Sequence, residues 1–249
     1  MDKLRVLDLF AGIGGFSLGL ERTGGFETVA FCEIESYPQK VLAKHWPGVP
    51  IYDDVRELTA ERLVADGIGV DVITGGFPCQ DISVSGNQAG IGEGTRSGLW
   101  SECARLLGEL RPRYAIFENV TALLSGDNGR WFEQVLWDIS QVGYDAEWHC
   151  IPASSVGAPH NRDRVWILAY PKCLRFNQRI SRITSPKNSA WSKYRLELDR
   201  RTRLLPTPSI CRVANGVPAR SHRLKCLGNA VVPQIPELIG RAILEANSG

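Results

Sequence analysis

No apolar run in this 249-residue sequence approaches the ~20 residues that span a bilayer, which argues against a membrane protein. The opening residues, MDKLRVLDLF, lack the basic, apolar and small-residue blocks of a signal peptide, so a cytoplasmic chain is expected. Paired cysteines are missing too. The seven cysteines, at 32, 79, 103, 150, 173, 211 and 226, are odd in number, and none forms a CxxC pair. Neither a disulfide framework nor a zinc site is expected. What is present is a globular balance: hydrophobic residues make up 43% and charged residues 22%, enough for a full core. The length suits one domain, or one domain with a small addition.

The net charge of +2 conceals an asymmetry. Residues 171–225 hold 14 Lys and Arg against only Glu197 and Asp199, a local charge of +12. The remainder carries 15 basic and 25 acidic residues, a charge of −10. A basic block inside an acidic chain points to a polyanion partner, with a solubilising loop as the plain alternative.

The first 170 residues alternate short β-rich runs with helix-compatible stretches. Strands are expected at Leu4–Phe10, Glu27–Phe31, Val70–Thr74, Tyr114–Glu118, Ala146–Ile151 and Arg164–Ala169. Helices are expected at Gly15–Arg22, Tyr37–His45, Ala60–Asp66, Leu99–Leu110 and Arg130–Gln141. This rhythm predicts an α/β fold, a doubly wound, mostly parallel sheet with helices on both faces. Residues 171–225, with five prolines, break it. Val231–Ala246 reads as a helix again, so the catalytic domain is expected to comprise 1–170 and 226–249. The basic region 171–225 then forms a small irregular lobe.

Val6–Gly15 is a hydrophobic strand running into a glycine-rich turn and then a helix. Such a turn lets a ligand approach the backbone and offers free N–H groups at the helix start. The next strand ends at Phe31-Cys32-Glu33, placing a carboxylate where a ribose diol would sit. Asp53-Asp54 follows a third short strand, well placed for an adenine edge. An adenosine-type cofactor is expected; spacing alone leaves NAD and S-adenosylmethionine both open.

After the strand at 71–74 comes GGFPCQ (75–80), then a Gly/Ser-rich segment to Gly98. Pro78 fixes the backbone just before Cys79, a cysteine at a strand's carboxyl end in an open α/β sheet. Its thiolate would be a strong nucleophile; an inert buried thiol is the plain reading. The following strand ends in Glu118-Asn119, where Glu118 can exchange a proton and Asn119 can cap a helix. Arg162 and Arg164, at alternate positions, share one face of an extended segment. That arrangement suits phosphate or carbonyl oxygens, or simple surface ion pairs.

These pieces, in this order, resemble the cytosine-C5 DNA methyltransferases, particularly the small bacterial and phage-type members. The resemblance rests on DLFAGIGGF (8–16), Glu33, Asp53-Asp54 and GGFPCQDISVSG (75–86). It continues through RSGLW (96–100), ENV (118–120), RDRVWIL (162–168) and GNAVVP (228–233), leaving out only about 171–205. By that similarity the cofactor is S-adenosyl-L-methionine, and Cys79 is the nucleophile. Phe10, Gly12, Ile13, Gly15, Glu33, Ile34, Asp54, Val55, Pro78, Leu99 and Asn229 then line the cofactor pocket. Glu33 is assigned to the ribose hydroxyls and Asp54 to the adenine amino group. Glu118, Arg162 and Arg164 complete the catalytic set, while Gln80, Ser83, Ser85 and Asn119 contact DNA.

The resemblance implies a flipped-out cytosine in duplex DNA, attacked at C6 by Cys79 and methylated at C5. Protonated Glu118 would hold N3 and the exocyclic amine, and Arg164 the O2 side, with Arg162 supporting the loop. A monomer is implied, encoded by a bacterium or phage, with a restriction endonuclease as a genetic partner. Two departures stand out. His160 replaces the family's usual Gln, and the variable recognition region is short, about 35 residues. A target of roughly two to four base pairs, or reduced specificity, is expected from so short a reader. The alternatives are an RNA (tRNA) cytosine-C5 methyltransferase and a catalytically silent DNA-binding protein. A NAD-dependent oxidoreductase, open on the glycine turn alone, loses to the PCQ segment.

Overall fold

The strand β1 (Leu4–Leu9) is apolar at nearly every position, and only Arg5 within it is exposed. A strand read this way is covered on both faces, as in a parallel α/β sheet. The computed structural model, which describes residues 2–78, 98–172 and 226–247, bears this out. The further strands are β2 (Phe26–Cys32), β3 (Ile51–Tyr52), β4 (Val72–Gly76), β5 (Tyr114–Val120), β6 (Tyr144–Pro152) and β7 (Asp163–Pro171). They form one sheet in the order β3-β2-β1-β4-β5-β7-β6. The first five run parallel; β7 is antiparallel to both β5 and β6.

From β1 the chain first builds outward through β2 and β3, then returns to lay β4 on the other side of β1. That reversal is a topological switch point, and ligands of such sheets bind beyond the strands' carboxyl ends there. Because β7 is reversed, its beginning lies at the same edge: Arg164 pairs with Val120 at the end of β5.

Side chains of alternate strand positions feed two cores. On one face Leu7, Ile73, Ala115, Phe117 and Ile167 pack with α4 (Leu99–Leu110) and α5 (Arg130–Gln141). Trp100, Cys103, Leu106 and Leu107 present one apolar stripe of α4, and Phe132, Val135 and Ile139 that of α5. On the other face Val6, Val72, Ile116 and Trp166 pack with α1 (Gly15–Glu21) and the terminal helix α6 (Gln234–Asn247). A smaller cluster of Ala11, Phe31 and Leu42 lies under α2 (Ser36–His45). The short α3 (Ala60–Ala65) is capped by the Thr59 hydroxyl, which accepts from the Arg62 N–H.

The expected strands and helices are all present, with small shifts: β4 begins at Val72 rather than Val70, β6 at Tyr144 rather than Ala146, and the last helix three residues late. Residues 231–233 are not helical, and α6 begins at Gln234. Pro233 disfavours the helical conformation at Val232, which explains the delay. Nearly all of the basic region expected at 171–225 lies outside the described residues. Among the described residues no helix is long and apolar enough to cross a membrane.

Where β1 meets α1 and β4, one carboxyl group is sealed inside. Asp8 is fully buried and accepts from the hydroxyls of Ser17 (2.8 Å) and Thr74 (2.7 Å). Burial raises its pKa to about 7, against the two hydroxyls, which lower it. A carboxyl raised in the fold adds stability in full below its unfolded value near 4, and loses it as pH rises to about 7. Asp8→Asn should therefore gain on the wild type by a few kcal/mol across that window, at about 1.4 kcal/mol per pH unit. Denaturant unfolding of both proteins at pH 5 and pH 7.5 checks it; parallel behaviour would contradict the assignment.

Candidate active site

The turn after β1 is held in conformations that most residues avoid. Phe10 (φ 51°), Gly12 (φ 54°) and Gly14 (φ 82°) are all left-handed, and a non-glycine there marks strain maintained by its surroundings. The Gly12 N–H donates to Glu33 Oε2 at 2.7 Å, and the Glu35 N–H donates to Glu33 Oε1 at 2.8 Å. Glu33 is thus buried at the end of β2 with its carboxylate bridging back to the glycine turn. Gln39 Nε2 donates to the Glu33 carbonyl (2.6 Å) and to Asp53 Oδ1 (2.8 Å), tying the ends of β2 and β3 together.

The rim of this crevice is apolar and acidic. Ile34, beside buried Glu33, leaves 65% of its surface exposed, available to cover a flat ring. Arg56 grips Asp54 through Nε (2.9 Å to Oδ1) and Nη2 (2.5 Å to Oδ2), and this holds the carboxyl below the usual range. Val55 is buried, and its carbonyl accepts from Arg105 Nη2 at 3.0 Å, which also reaches the Leu58 carbonyl at 2.8 Å. Burial, reinforced by the charges of Asp54, Glu33 and Asp53, pushes the Cys32 thiol up to about 12. Cys32 therefore stays protonated.

The other expected pocket residues divide. Ile13 and Pro78 are half-buried near the strand ends, and Leu99 opens α4 against the larger core. Gly15 has a packing requirement instead: a Cβ there would stand 2.6 Å from the Val231 carbonyl oxygen. Asn229 is exposed, and its backbone carbonyl accepts from Arg162 Nη2 at 3.3 Å.

Glu118 sits near the end of β5, in register with Gly76 of β4 and Trp166 of β7. A Cβ on Gly76 would come within 3.3 Å of Glu118 Oε2, so glycine keeps that side clear. Burial raises the Glu118 pKa, while Arg164 and Arg162 work in the opposite direction. Arg164 Nε lies 3.1 Å from Glu118 Oε1; Arg162 Nη2 is farther, at 3.9 Å. Arg162 Nη1 instead donates to the carbonyls of Gly228 (2.7 Å) and Ala230 (2.9 Å). The two arginines share a face, as their spacing predicts, yet divide the work: Arg164 attends the carboxyl group, and Arg162 clamps the 228–230 segment.

Asn119 is buried, and its Nδ2 donates to the Phe77 carbonyl at 3.1 Å. The residue expected at DNA thus fastens the backbone that leads into Pro78 and Cys79. Asn119→Ala removes that bond and leaves a buried carbonyl unpaired, a loss of about 1–3 kcal/mol. Turnover should fall with little change in cofactor KM, a split measurable in steady-state kinetics. Cys79, Gln80, Ser83 and Ser85 lie outside the described residues.

Two residues in this architecture escape sequence reasoning. Arg105 stands three and four residues from Glu102 and Glu109 and pairs with both, so it reads as a surface ion-pair residue. Nothing local signals its reach to the carbonyls beside Asp54. Gln39 likewise carries no pattern; only its place on the first turns of α2, beside Glu33, could have drawn notice.

A family model, C-5 cytosine-specific DNA methylase, matches residues 4–209. The type II methyltransferase M2.BsuMI of Bacillus subtilis is 35% identical over 183 residues, covering 70% of this chain and 45% of its own. The orphan methyltransferase M.SPRI of Bacillus phage SPR is 34% identical over 184 residues, covering 73% and 41%. The matched stretch thus spans less than half of either curated relative. Among solved structures, a protein assigned as a DNA modification methyltransferase from an E. coli prophage superposes with a TM-score of 0.59. It is 30% identical, and the match covers 70% of this chain and 48% of that one. The strand order, the glycine turn facing Glu33 and the Glu118–arginine cluster agree with what these matches establish: the chain belongs to the C-5 cytosine-specific DNA methylase family.

Proposed function

We propose that this chain is a DNA (cytosine-5-)-methyltransferase that modifies a flipped-out cytosine in duplex DNA. The observation that carries the reading is Glu118, a carboxyl group pushed towards its protonated form by burial. It stands on the strand beside the one that runs into Pro78 and Cys79. Residues 1–170 and 226–249 form the catalytic domain in this reading, and the +12 segment 171–225 grips phosphates and reads the target.

The Cys79 thiolate adds to C6 of the cytosine, forming an S–C6 bond and pushing the ring electrons towards C5. Protonated Glu118 donates to N3 and accepts from the exocyclic amine, which offsets the charge arriving on the ring. Arg164 holds Glu118 and meets the O2 side; Arg162 keeps the 228–230 segment against the site. S-adenosylmethionine, when bound, supplies the electrophilic methyl group that C5 takes. A base then removes the C5 proton, the electrons return to the ring, and the S–C6 bond breaks to release Cys79.

The crevice suits that cofactor. Glu33, Asp53 and Asp54 gather negative charge at the strand ends, and all three raise the Cys32 thiol. A sulfonium and an amine are attracted there. Glu33 would hold the ribose hydroxyls, Ile34 would cover the adenine, and Asp54 would accept from its amino group. The test is transfer of labelled methyl from S-adenosylmethionine to duplex DNA and, in parallel, to tRNA. Label in DNA, mapped by bisulfite sequencing to a short motif, is the expected result. Label in tRNA alone, or in neither, would overturn the proposal.

A further inference from the structure

Trp46 closes α2, and its half-buried indole touches three different elements. Its Nε1 donates to both carboxylate oxygens of Glu21 at the end of α1, at 2.9 and 3.1 Å. Glu21 Oε1 also accepts from the Thr28 N–H of β2 at 3.1 Å. The indole meets Phe31 edge to face, with centroids 5.3 Å apart. Its far edge presses on the glycine turn: a Cβ on Gly14 would stand 2.5 Å from Trp46 Cη2.

The small cluster around Trp46 draws one member from each segment of the cofactor crevice. Ala11 directly precedes Gly12, Phe31 comes two residues before Glu33, and Ile51 comes three before Asp54. We infer that Trp46 is a positioning residue for the cofactor site. It fixes the height of the glycine turn against Glu33 by pinning Gly14 from behind, while Glu21 fixes the indole. This inference rests on the cofactor reading above. Any buried indole N–H seeks an acceptor; the contact of the ring with the left-handed Gly14 is what ties this one to the glycine turn.

The Gly12–Glu33 bond of 2.7 Å depends on that height, so slack at Trp46 loosens the groups that meet the ribose. Trp46→Phe keeps most of the ring and loses only the N–H. Trp46→Leu removes the wedge as well. Calorimetric binding of S-adenosylhomocysteine, with thermal unfolding alongside, separates positioning from folding. Measured well below the melting transition, Trp46→Phe should raise Kd about fivefold, while the lost hydrogen bond lowers the melting temperature by only about 2–4 °C. Trp46→Leu should raise it further. Glu21→Gln added to Trp46→Phe should cost less than the two single effects multiplied, because both act on one link. Amide exchange at Gly12 should quicken in both Trp46 variants. If the wild type binds and both variants bind equally well, the positioning role is wrong while the cofactor reading stands. If the wild type does not bind, the cofactor reading fails, and the positioning role fails with it.

Discussion

Cys79→Ser should lower methyl transfer by roughly a thousandfold or more while leaving cofactor affinity unchanged. The reaction needs a nucleophile that is ionised near neutral pH, and a thiol with an ordinary value near 8.5 is within reach of that state. A serine hydroxyl is not. The buried cysteines offer no substitute. Burial pushes up the thiols of Cys32 and Cys103, so these stay protonated. Cys150→Ser, on the exposed strand β6, is the matching control and should retain full activity. A Cys79→Ser protein within tenfold of the wild type would show that the chemistry does not run through a thiolate at this position.

Glu118→Ala should lower kcat by about a hundredfold to a thousandfold, the usual cost of removing one preorganised group from developing charge. Glu118→Gln should lose much less, since an amide can also donate to N3 and accept from the exocyclic amine. The two differ in pH dependence. Burial raises the Glu118 pKa, so the wild-type carboxyl remains protonated further into the pH range than an ordinary glutamate. As pH rises through that raised value, the proton is lost and kcat/KM should decline. Glu118→Gln cannot ionise and should lack that limb. Identical pH profiles for the two proteins would remove Glu118 from its assigned role.

Parts of this architecture are plain in the sequence for physical reasons. Expected and observed bounds of α4 and α5 agree because apolar residues recur three and four apart over twelve residues in each. Glu33 and Glu118 are conspicuous because each interrupts an apolar run at the end of a buried strand. What depends on partners far along the chain is not legible. The reversal of β7 follows from its placement between β5 and β6, and no local pattern encodes strand direction. Arg162 and Arg164 look equivalent as sequence, yet one bonds to residues about 66 positions away while the other faces Glu118. Asn119 reads as a cap or a DNA contact, and only the fold brings the Phe77 carbonyl to it.

The most direct measurement of the central claim is a trapping experiment on the whole chain. Duplex DNA with 5-fluorocytosine in place of cytosine is incubated with the protein and S-adenosylmethionine, then analysed by intact mass and peptide mapping. Fluorine at C5 cannot leave as a proton does, so the reaction should stop at the methylated adduct. The expected result is one covalent protein–DNA species carrying one added methyl group, linked through Cys79 and absent from Cys79→Ser. A protein that binds the cofactor and the DNA yet forms no adduct, or forms one through another residue, would contradict the proposed reaction.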